Sequence, residues 1–137
     1  MGKKGQSSLI NAFDYINVLD KAADASWLRE TAISNNLANV DTPGYKRQDV
    51  AFESVLKAEL GRTKYTTLDQ KIRSLNGNLS GLNVSTYTDA FNYSYRIDGN
   101  NVDVDTENVE LASEQIKYEA LTKSITSQFA RMKAVIS

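Results

Sequence analysis

The residues best suited to chemistry form an acidic run of Asp98, Asp103, Asp105 and Glu107. Carboxylates at alternate positions are typical of an EF-hand calcium loop, which also needs a glycine at its sixth position. A template that begins at Asp103 has Asn108 at the sixth position. A turn followed by a helix that Asp105 or Thr106 caps explains the same acidic residues. We therefore expect no metal site in this run.

The remaining side chains offer little material for catalysis. The sequence contains no cysteine and no histidine, which excludes a thiol nucleophile, a disulfide and the usual zinc ligands. It also lacks the glycine-rich phosphate loops and the serine elbow of common enzyme families. We expect a protein that is not an enzyme and that uses no cofactor.

Charge and hydropathy limit the kinds of partner. The 16 basic and 17 acidic residues nearly cancel, whereas a nucleic-acid-binding protein has a basic face or stripe. No apolar run approaches the roughly 20 residues of a membrane span. No apolar signal-peptide core follows the basic start of the chain. We expect no nucleic-acid binding, no direct membrane insertion and no cleaved signal.

Two stretches repeat apolar residues at heptad spacing and predict long helices. The first runs from Leu9 to Val40, interrupted by Ser26 and Glu30, and the second fills the C-terminal end of the chain. Other helix faces are also partly apolar, which predicts further packing partners. The residues expected to pair the two helices are Ile16, Leu19, Ala23, Ile33, Leu37, Leu111, Tyr118, Leu121, Ile125 and Met132.

The centre of the chain has a different composition. Polar residues and glycine-containing turn signals predict a long loop, or strands that form only against a partner, from Leu68 to Val84. Alternation predicts a hairpin of Tyr93–Ile97 with Val102 and Val104. We divide the chain into a flexible N-terminus (1–8), a first helix with its loop and a short helix (9–60), a variable polar centre with the hairpin (61–105) and a C-terminal helix (106–137). The predicted fold is mainly α, an elongated subunit with its terminal helices paired as an antiparallel coiled coil.

The first helix is predicted to end at a tight turn. Proline fixes its own φ and disfavours helix at the preceding residue, so Thr42 and Pro43 end the helix. Pro43 and Gly44 suit the central positions of a type II turn, in which the second residue has a positive φ. The full stretch comprises Asn35, Asn36, Leu37, Ala38, Asn39, Val40, Asp41, Thr42, Pro43, Gly44, Tyr45 and Lys46.

This stretch resembles the N-terminal signature of flagellar rod and hook proteins, which lies at the end of a long first helix. The sequence D-G-N-N-V-D-V-D-T-E from Asp98 to Glu107 is similar to the FlgB family of proximal-rod proteins. So are the L-A pair at 111–112 and the Y-E-A-L-T run at 118–122. The resemblance covers both ends of the chain and is silent over Arg62 to Asn92.

The resemblance implies a structural subunit of the proximal basal-body rod, the helically assembled drive shaft that links the membrane ring to the hook and is required for motility. It implies a periplasmic location and export through the flagellar type III channel without a cleaved signal peptide. The implied partners are copies of itself, other rod proteins, and membrane-ring and export-gate components at the rod base. The alternative is a secreted coiled-coil interaction protein, such as a translocator or tip component of a type III secretion system.

The same resemblance points to an export element. Early substrates of flagellar export are recognised through a phenylalanine followed four residues later by a hydrophobic residue, and Phe52 with Leu56 fits this spacing. The two side chains would share one helix face. That face serves the packing of a short core helix equally well, so both interpretations are kept.

Overall fold

A computed structural model of the chain describes residues 3–82, 84–89 and 98–136. Four α-helices, one 3₁₀ helix and two short strands lie in these ranges. In chain order they are α1 (Lys3–Ala38), β1 (Gln48–Val50), α2 (Phe52–Arg62), α3 (Leu68–Asn76), the 3₁₀ helix (Leu79–Leu82), β2 (Thr86–Thr88) and α4 (Val104–Ile136). The predicted mainly α fold, with long terminal helices that pack against each other, is confirmed.

The chain forms two compact units, each built from segments distant in sequence. Unit 1 contains Met1–Ala23, Phe52–Asn83 and Glu119–Ser137, and unit 2 contains Asp24–Ala51 and Val84–Tyr118. Both long helices contribute to both units.

In unit 1, α2, α3 and the 3₁₀ helix contact one another, and the start of α1 packs on the end of α4 through Ala12, Ile16 and Met132. Helix α3 begins because the Thr67 side chain accepts a hydrogen bond from the Gln70 N–H. Its apolar residues are spaced to lie on one face, where Ile72 and Leu75 are buried.

In unit 2, the second part of α1 packs on the first part of α4, and the two run antiparallel. Ser26 contacts Glu114, whereas Asn36, ten positions further along α1, contacts Glu107, seven positions back along α4. The apolar part of this core includes Ala25, Ala32, Ile33, Val50 and Val102, all buried. Strands β1 and β2 pair antiparallel, with Asp49 opposite Tyr87.

The centre of the chain differs from its prediction. The prediction of a long loop or partner-dependent strands from Leu68 to Val84 is wrong, because α3 and the 3₁₀ helix occupy much of this stretch. The first predicted hairpin strand, Tyr93–Ile97, lies outside the described residues. The returning strand is also wrong, since Val104 opens α4 and Val102 lies in the connection before it. The strand pairing in the described residues joins β1 to β2 instead.

Three helix boundaries also differ from the sequence prediction. Helix α1 begins at Lys3 and ends at Ala38, so residues 3–8, predicted to be flexible, are helical. Helix α2 continues through Gly61 to Arg62, two residues beyond the predicted end of the short helix at residue 60. Helix α4 begins at Val104, two residues before the predicted boundary. None of the described helices is long and apolar enough to cross a membrane.

Candidate functional site

The signature stretch forms the turn that its sequence predicts. The N–H of Thr42 donates to the carbonyl of Asn39 at 3.0 Å, and the N–H of Tyr45 donates to the carbonyl of Thr42 at 3.2 Å. Pro43 and Gly44 therefore occupy the centre of a four-residue turn. Gly44 has φ +74°, as the third residue of a type II turn requires. The predicted turn and its positive φ are confirmed.

A second turn, from Asp98 to Asn101, holds this first turn in place. The carbonyl of Asp98 accepts a hydrogen bond from the N–H of Gly44 at 2.7 Å. The Lys46 ammonium donates to the carbonyl of Gly99. Gly99 has φ +78°, and a Cβ there would lie 3.8 Å from the Cα of Gly44. That distance leaves room for a Cβ, so the positive φ is what favours glycine at this position.

The side chain of Asn100 pairs with backbone carbonyls of the turn that follows α1. Its side chain is fully buried, and its Nδ2 lies 2.9, 3.1 and 2.9 Å from the carbonyl oxygens of Asn39, Val40 and Thr42. Its Oδ1 accepts a hydrogen bond from the N–H of Val102 at 2.8 Å. These carbonyls lie beyond the end of α1 at Ala38, so one buried side chain pairs backbone groups of the turn that follows the helix.

Asn101, the neighbour of Asn100, ties the same turn to the sheet edge. Its Oδ1 accepts from the N–H of Arg47 at 2.7 Å, and its Nδ2 donates to the carbonyl of Asp89 at 3.2 Å. The backbone N–H of Asp89 in turn donates to the carbonyl of Arg47 at 2.8 Å, just beyond the β1–β2 ladder. We call the contacts of Asp98–Asn101 with residues 39–47 the clasp.

Asn36, the second asparagine of the signature, joins α1 to β1. Its Nδ2 donates to the carbonyl of Gln48 and its Oδ1 accepts from the N–H of Gln48, both at 2.8 Å. Oδ1 also accepts from the Tyr45 hydroxyl at 3.1 Å, and Nδ2 lies 3.2 Å from Glu107. The side chain is fully buried. It acts as a short substitute for a neighbouring strand, so a residue of different shape at this position would leave buried backbone groups unpaired.

Two arginines and several carboxylates fill the polar core of unit 2. The Arg47 guanidinium donates from Nε to Glu107 at 2.6 Å and reaches Asp49 and Asp89 at 3.2 Å. Glu107 is 1% exposed. A buried carboxylate is tolerated only with a charged or hydrogen-bonding partner, and Arg47 is that partner here.

Arg29 makes the second ionic cluster. It donates from Nε to Asp49 at 2.9 Å, from Nη1 to Glu114 at 2.7 Å and from Nη2 to Glu110 at 2.8 Å. Ser26 completes the cluster by donating to the other oxygen of Glu114 at 2.7 Å. Ser26 interrupts the apolar stripe of α1 and Glu114 occupies a stripe position on α4, so the two polar residues meet each other across the helix pair.

The pKa shifts follow from these contacts. Burial alone would lower the pKa of Arg29, but hydrogen bonds to three carboxylates outweigh burial and raise it. Arg47 behaves in the same way. Burial alone would raise the pKa of Asp49, but Arg29 and the backbone N–H of Val50 hold it below 3.8. Burial, followed by the charge of Glu107, raises the pKa of Tyr45. Arg29, Arg47 and Asp49 thus stay ionised at neutral pH.

The other sequence-predicted residues lie as follows. Of the expected helix-pairing set, Ile16, Ala23, Ile33 and Met132 are buried, and Leu19, Leu37, Leu111, Tyr118, Leu121 and Ile125 are half-buried. In the signature, Asn35, Ala38, Asp41, Thr42, Pro43 and Gly44 are exposed. Phe52 is buried at the start of α2, and Leu56 is half-buried. The clasp and the Arg29 cluster were not predicted. The polar residues Ser26 and Glu114 within the two apolar stripes were the signal for the Arg29 cluster.

The acidic run serves structure. Asp103 precedes α4, and its Oδ1 accepts from the N–H groups of Asp105 and Thr106 at 3.1 and 3.3 Å. Asp103 is therefore the N-cap residue, and the prediction that Asp105 or Thr106 caps the helix is wrong. Glu107 pairs with Arg47.

The sequence is similar to known flagellar rod proteins. A family model described as flagella basal body rod protein matches residues 30–46, which hold the end of α1 and the turn. The flagellar basal body rod protein FlgB of Bacillus subtilis is 34% identical over 122 residues, 89% of this chain and 92% of that protein. FlgB of Borrelia hermsii is 31% identical over 93% of this chain and 99% of that protein. FlgB of Escherichia coli K12 is 29% identical, over 79% and 82%.

The class of protein follows from the paired long helices, the signature turn and the family model: it is a flagellar basal-body rod protein. Among these, the chain belongs to the FlgB family.

Proposed function

We infer that the protein is a structural subunit of the flagellar basal-body rod. The observation that carries this inference is the match to FlgB proteins along almost the whole chain. The signature turn supports it, because hydrogen bonds with Asp98 and Asn100 fix the geometry of the turn. The described residues serve packing, capping and ion pairing. A structural rather than a catalytic role accounts for all of these contacts.

Exposed apolar side chains support assembly into a larger structure. Large apolar residues at least 48% exposed include Ile10, Phe13, Trp27, Val109, Ile116, Phe129 and Ile136. All seven lie on the two long helices, α1 and α4. Large exposed apolar surface on a soluble protein is typical of an interaction site. We propose that these helix faces contact copies of the same chain and other rod proteins.

The signature turn has two sides with different roles. Asn36 and Asn100 hold its inner side within unit 2, whereas Asp41, Thr42 and Pro43 are exposed. A rigid, exposed turn loses little conformational entropy when it binds a partner. We propose that its outer side contacts the neighbouring subunit in the rod, and that the clasp fixes its shape beforehand.

The finer assignment is also a proposal. We place the subunit in the proximal, periplasmic rod, where it would link the membrane ring to the hook and be required for motility. We propose that it leaves the cytoplasm by flagellar type III export without a cleaved signal peptide. Membrane-ring and export-gate components at the rod base are the further partners. No comparison supports the alternative, a translocator or tip component.

Localisation within isolated basal bodies tests this function. An epitope inserted after Tyr65, in the exposed connection between α2 and α3, should leave both helices intact. Cells without the gene are expected to lose motility, and the tagged chain should restore it and place label on the rod. Label at the tip of a secretion needle, with motility unchanged by the deletion, would identify the alternative function instead.

Phe52 and Leu56 remain a proposed export element. Phe52 is only 7% exposed in the folded chain, so a folded subunit does not present this side chain to a receptor. We propose that the pair docks at the export gate before the chain folds and packs in unit 1 afterwards. The same two apolar residues can serve both steps because docking and packing both bury one helix face.

Paired alanine substitutions separate docking from packing. The variant Phe52→Ala with Leu56→Ala is expected to accumulate in the cytoplasm. Glu53→Ala with Lys57→Ala is the matched control, since these exposed residues have the same spacing on the same helix; it should be exported normally. A Phe52/Leu56 variant that is secreted but absent from rods would show that the pair serves packing alone.

A further inference from the structure

The two units carry opposite net charge. Unit 1 contains 11 basic and 6 acidic residues, whereas unit 2 contains 5 basic and 11 acidic residues. Unit 1 therefore has a formal excess of five positive charges and unit 2 an excess of six negative charges. The near-neutral total of the chain conceals this division.

The surface of each unit shows the same imbalance. In unit 2, both described arginines, Arg29 and Arg47, are engaged with carboxylates in the polar core, which leaves exposed carboxylates such as Asp24 and Asp105 on the outside. In unit 1, Lys57, Lys64, Arg73, Arg131 and Lys133 are exposed cations. Among the residues whose burial is described, the exposed charged side chains are therefore net positive in unit 1 and net negative in unit 2.

Helix electrostatics explains only part of this pattern. Acidic residues in the first turn of α4 and Lys133 in its last turn complement the dipole of that helix. The dipole of α4 does not account for Lys57 in α2, Lys64 in the segment after α2 or Lys71 in α3. The basic character of unit 1 therefore needs another explanation.

We propose that neighbouring copies of this chain associate through unlike units, with unit 1 of one copy on unit 2 of the next. This inference rests on the proposed rod function and goes beyond it by naming which surfaces meet. Charge complementarity selects the pairing of unlike units and opposes that of like units. Each unit also has exposed apolar residues, Phe129 in unit 1 and Ile116 in unit 2, which supply apolar burial at the contact.

The contact is heterologous, because two different surfaces meet. The bound pair keeps one free surface of each kind, so the association continues from copy to copy. An isologous dimer would also pair unit 1 with unit 2, twice, but it would close after two copies. Oligomers larger than dimers therefore distinguish the open arrangement that a helical rod requires from the closed dimer.

Charge-reversed variants test the pairing. Variant 1 carries Lys57→Glu, Lys64→Glu and Arg131→Glu, which removes the positive excess of unit 1. Variant 2 carries Asp24→Lys, Asn108→Lys and Ser113→Lys, which reduces the negative excess of unit 2. All six positions are exposed, and the ion pairs of Arg29 and Arg47 are left intact. The control exchanges Glu53→Lys with Lys57→Glu and leaves the net charge of unit 1 unchanged.

Sedimentation of the purified full chains gives the result. The natural chain and the control should form oligomers at low salt that dissociate as salt screens the charges, and each variant alone should associate at least roughly tenfold more weakly. A mixture of the two variants should form one-to-one pairs and stop there, because only unit 1 of variant 2 and unit 2 of variant 1 keep their charge.

Three outcomes would overturn the inference: a natural chain that does not associate, variants that associate as the natural chain does, or a mixture that behaves as the sum of its parts. Basal bodies separate this inference from the rod function. Normal rods built from variant 1 alone would reject the pairing of unlike units and leave the rod assignment standing. Absence of the epitope-labelled natural chain from the rod would reject the rod assignment itself.

Discussion

Replacing Asn100 by aspartate tests the clasp with almost no change in shape. The Nδ2 of Asn100 donates to carbonyls of residues 39, 40 and 42, and the side chain is fully buried. In Asn100→Asp an oxygen takes the place of this nitrogen and faces the same carbonyl oxygens. The Oδ1 contact to the N–H of Val102 can remain. The substitution therefore removes donors and leaves packing unchanged.

The expected loss of stability depends on pH. A neutral aspartic acid keeps one O–H donor where the amide had two N–H donors, and an unpaired buried carbonyl costs about 1–3 kcal/mol. At about pH 7 the fold must also keep the introduced aspartic acid neutral roughly three pH units above its ordinary pKa. This adds about 4 kcal/mol to the loss of stability, at 1.36 kcal/mol per pH unit. The loss should therefore rise from about 2 kcal/mol in mild acid toward about 6 kcal/mol at neutral pH.

The sign follows from linkage. The folded-state pKa of the introduced carboxyl lies above its unfolded value, so stability is lost as pH rises through that range. Urea unfolding of the variant and the natural chain at about pH 4.5 and about pH 7 measures the difference. Asn108→Asp is the control, because this exposed residue of α4 adds the same charge at a cost of less than about 0.5 kcal/mol. A loss for Asn100→Asp below about 1 kcal/mol, or one independent of pH, would refute the role of Asn100.

Three further predictions concern other parts of the chain. Gly44→Val should lower the free energy of unfolding by about 1–3 kcal/mol through backbone strain alone, since Gly44 has φ +74° and no atom lies within 4 Å of a Cβ built there. Exported variant chains that form normal rods would contradict the proposed role of this turn. Burial, then the bond to Asp69, raises the pKa of Tyr15 to about 12, so its stabilising contribution should persist below pH 10 and fade as pH rises toward 12; NMR titration with Asp69→Asn should show a lower pKa. The depressed pKa of Asp49 predicts stability that is lost as pH falls below 3.8, and Arg29→Met should reduce that acid dependence.

Sequence periodicity predicted the elements that depend on local spacing. The apolar stripes located both long helices, because residues three and four apart share a helix face. The Pro43–Gly44 pair predicted the turn and its positive φ, since both residues restrict the backbone directly. Helix α3 was missed because only two of its residues, Ile72 and Leu75, are buried. A short amphipathic helix of mostly polar residues resembles a loop in composition.

The sequence by itself determined the two long helices, the turn and, through the signature, the family. Only the tertiary structure decided which polar residues meet. Ser26 and Glu114 lie 88 positions apart, and each alone looks like a defect in an apolar stripe. Asn100 reaches backbone carbonyls of the turn after α1 from 58 to 61 positions away. No local pattern encodes such partners, because a buried polar group is favourable only when the fold brings a specific donor or acceptor within hydrogen-bonding distance.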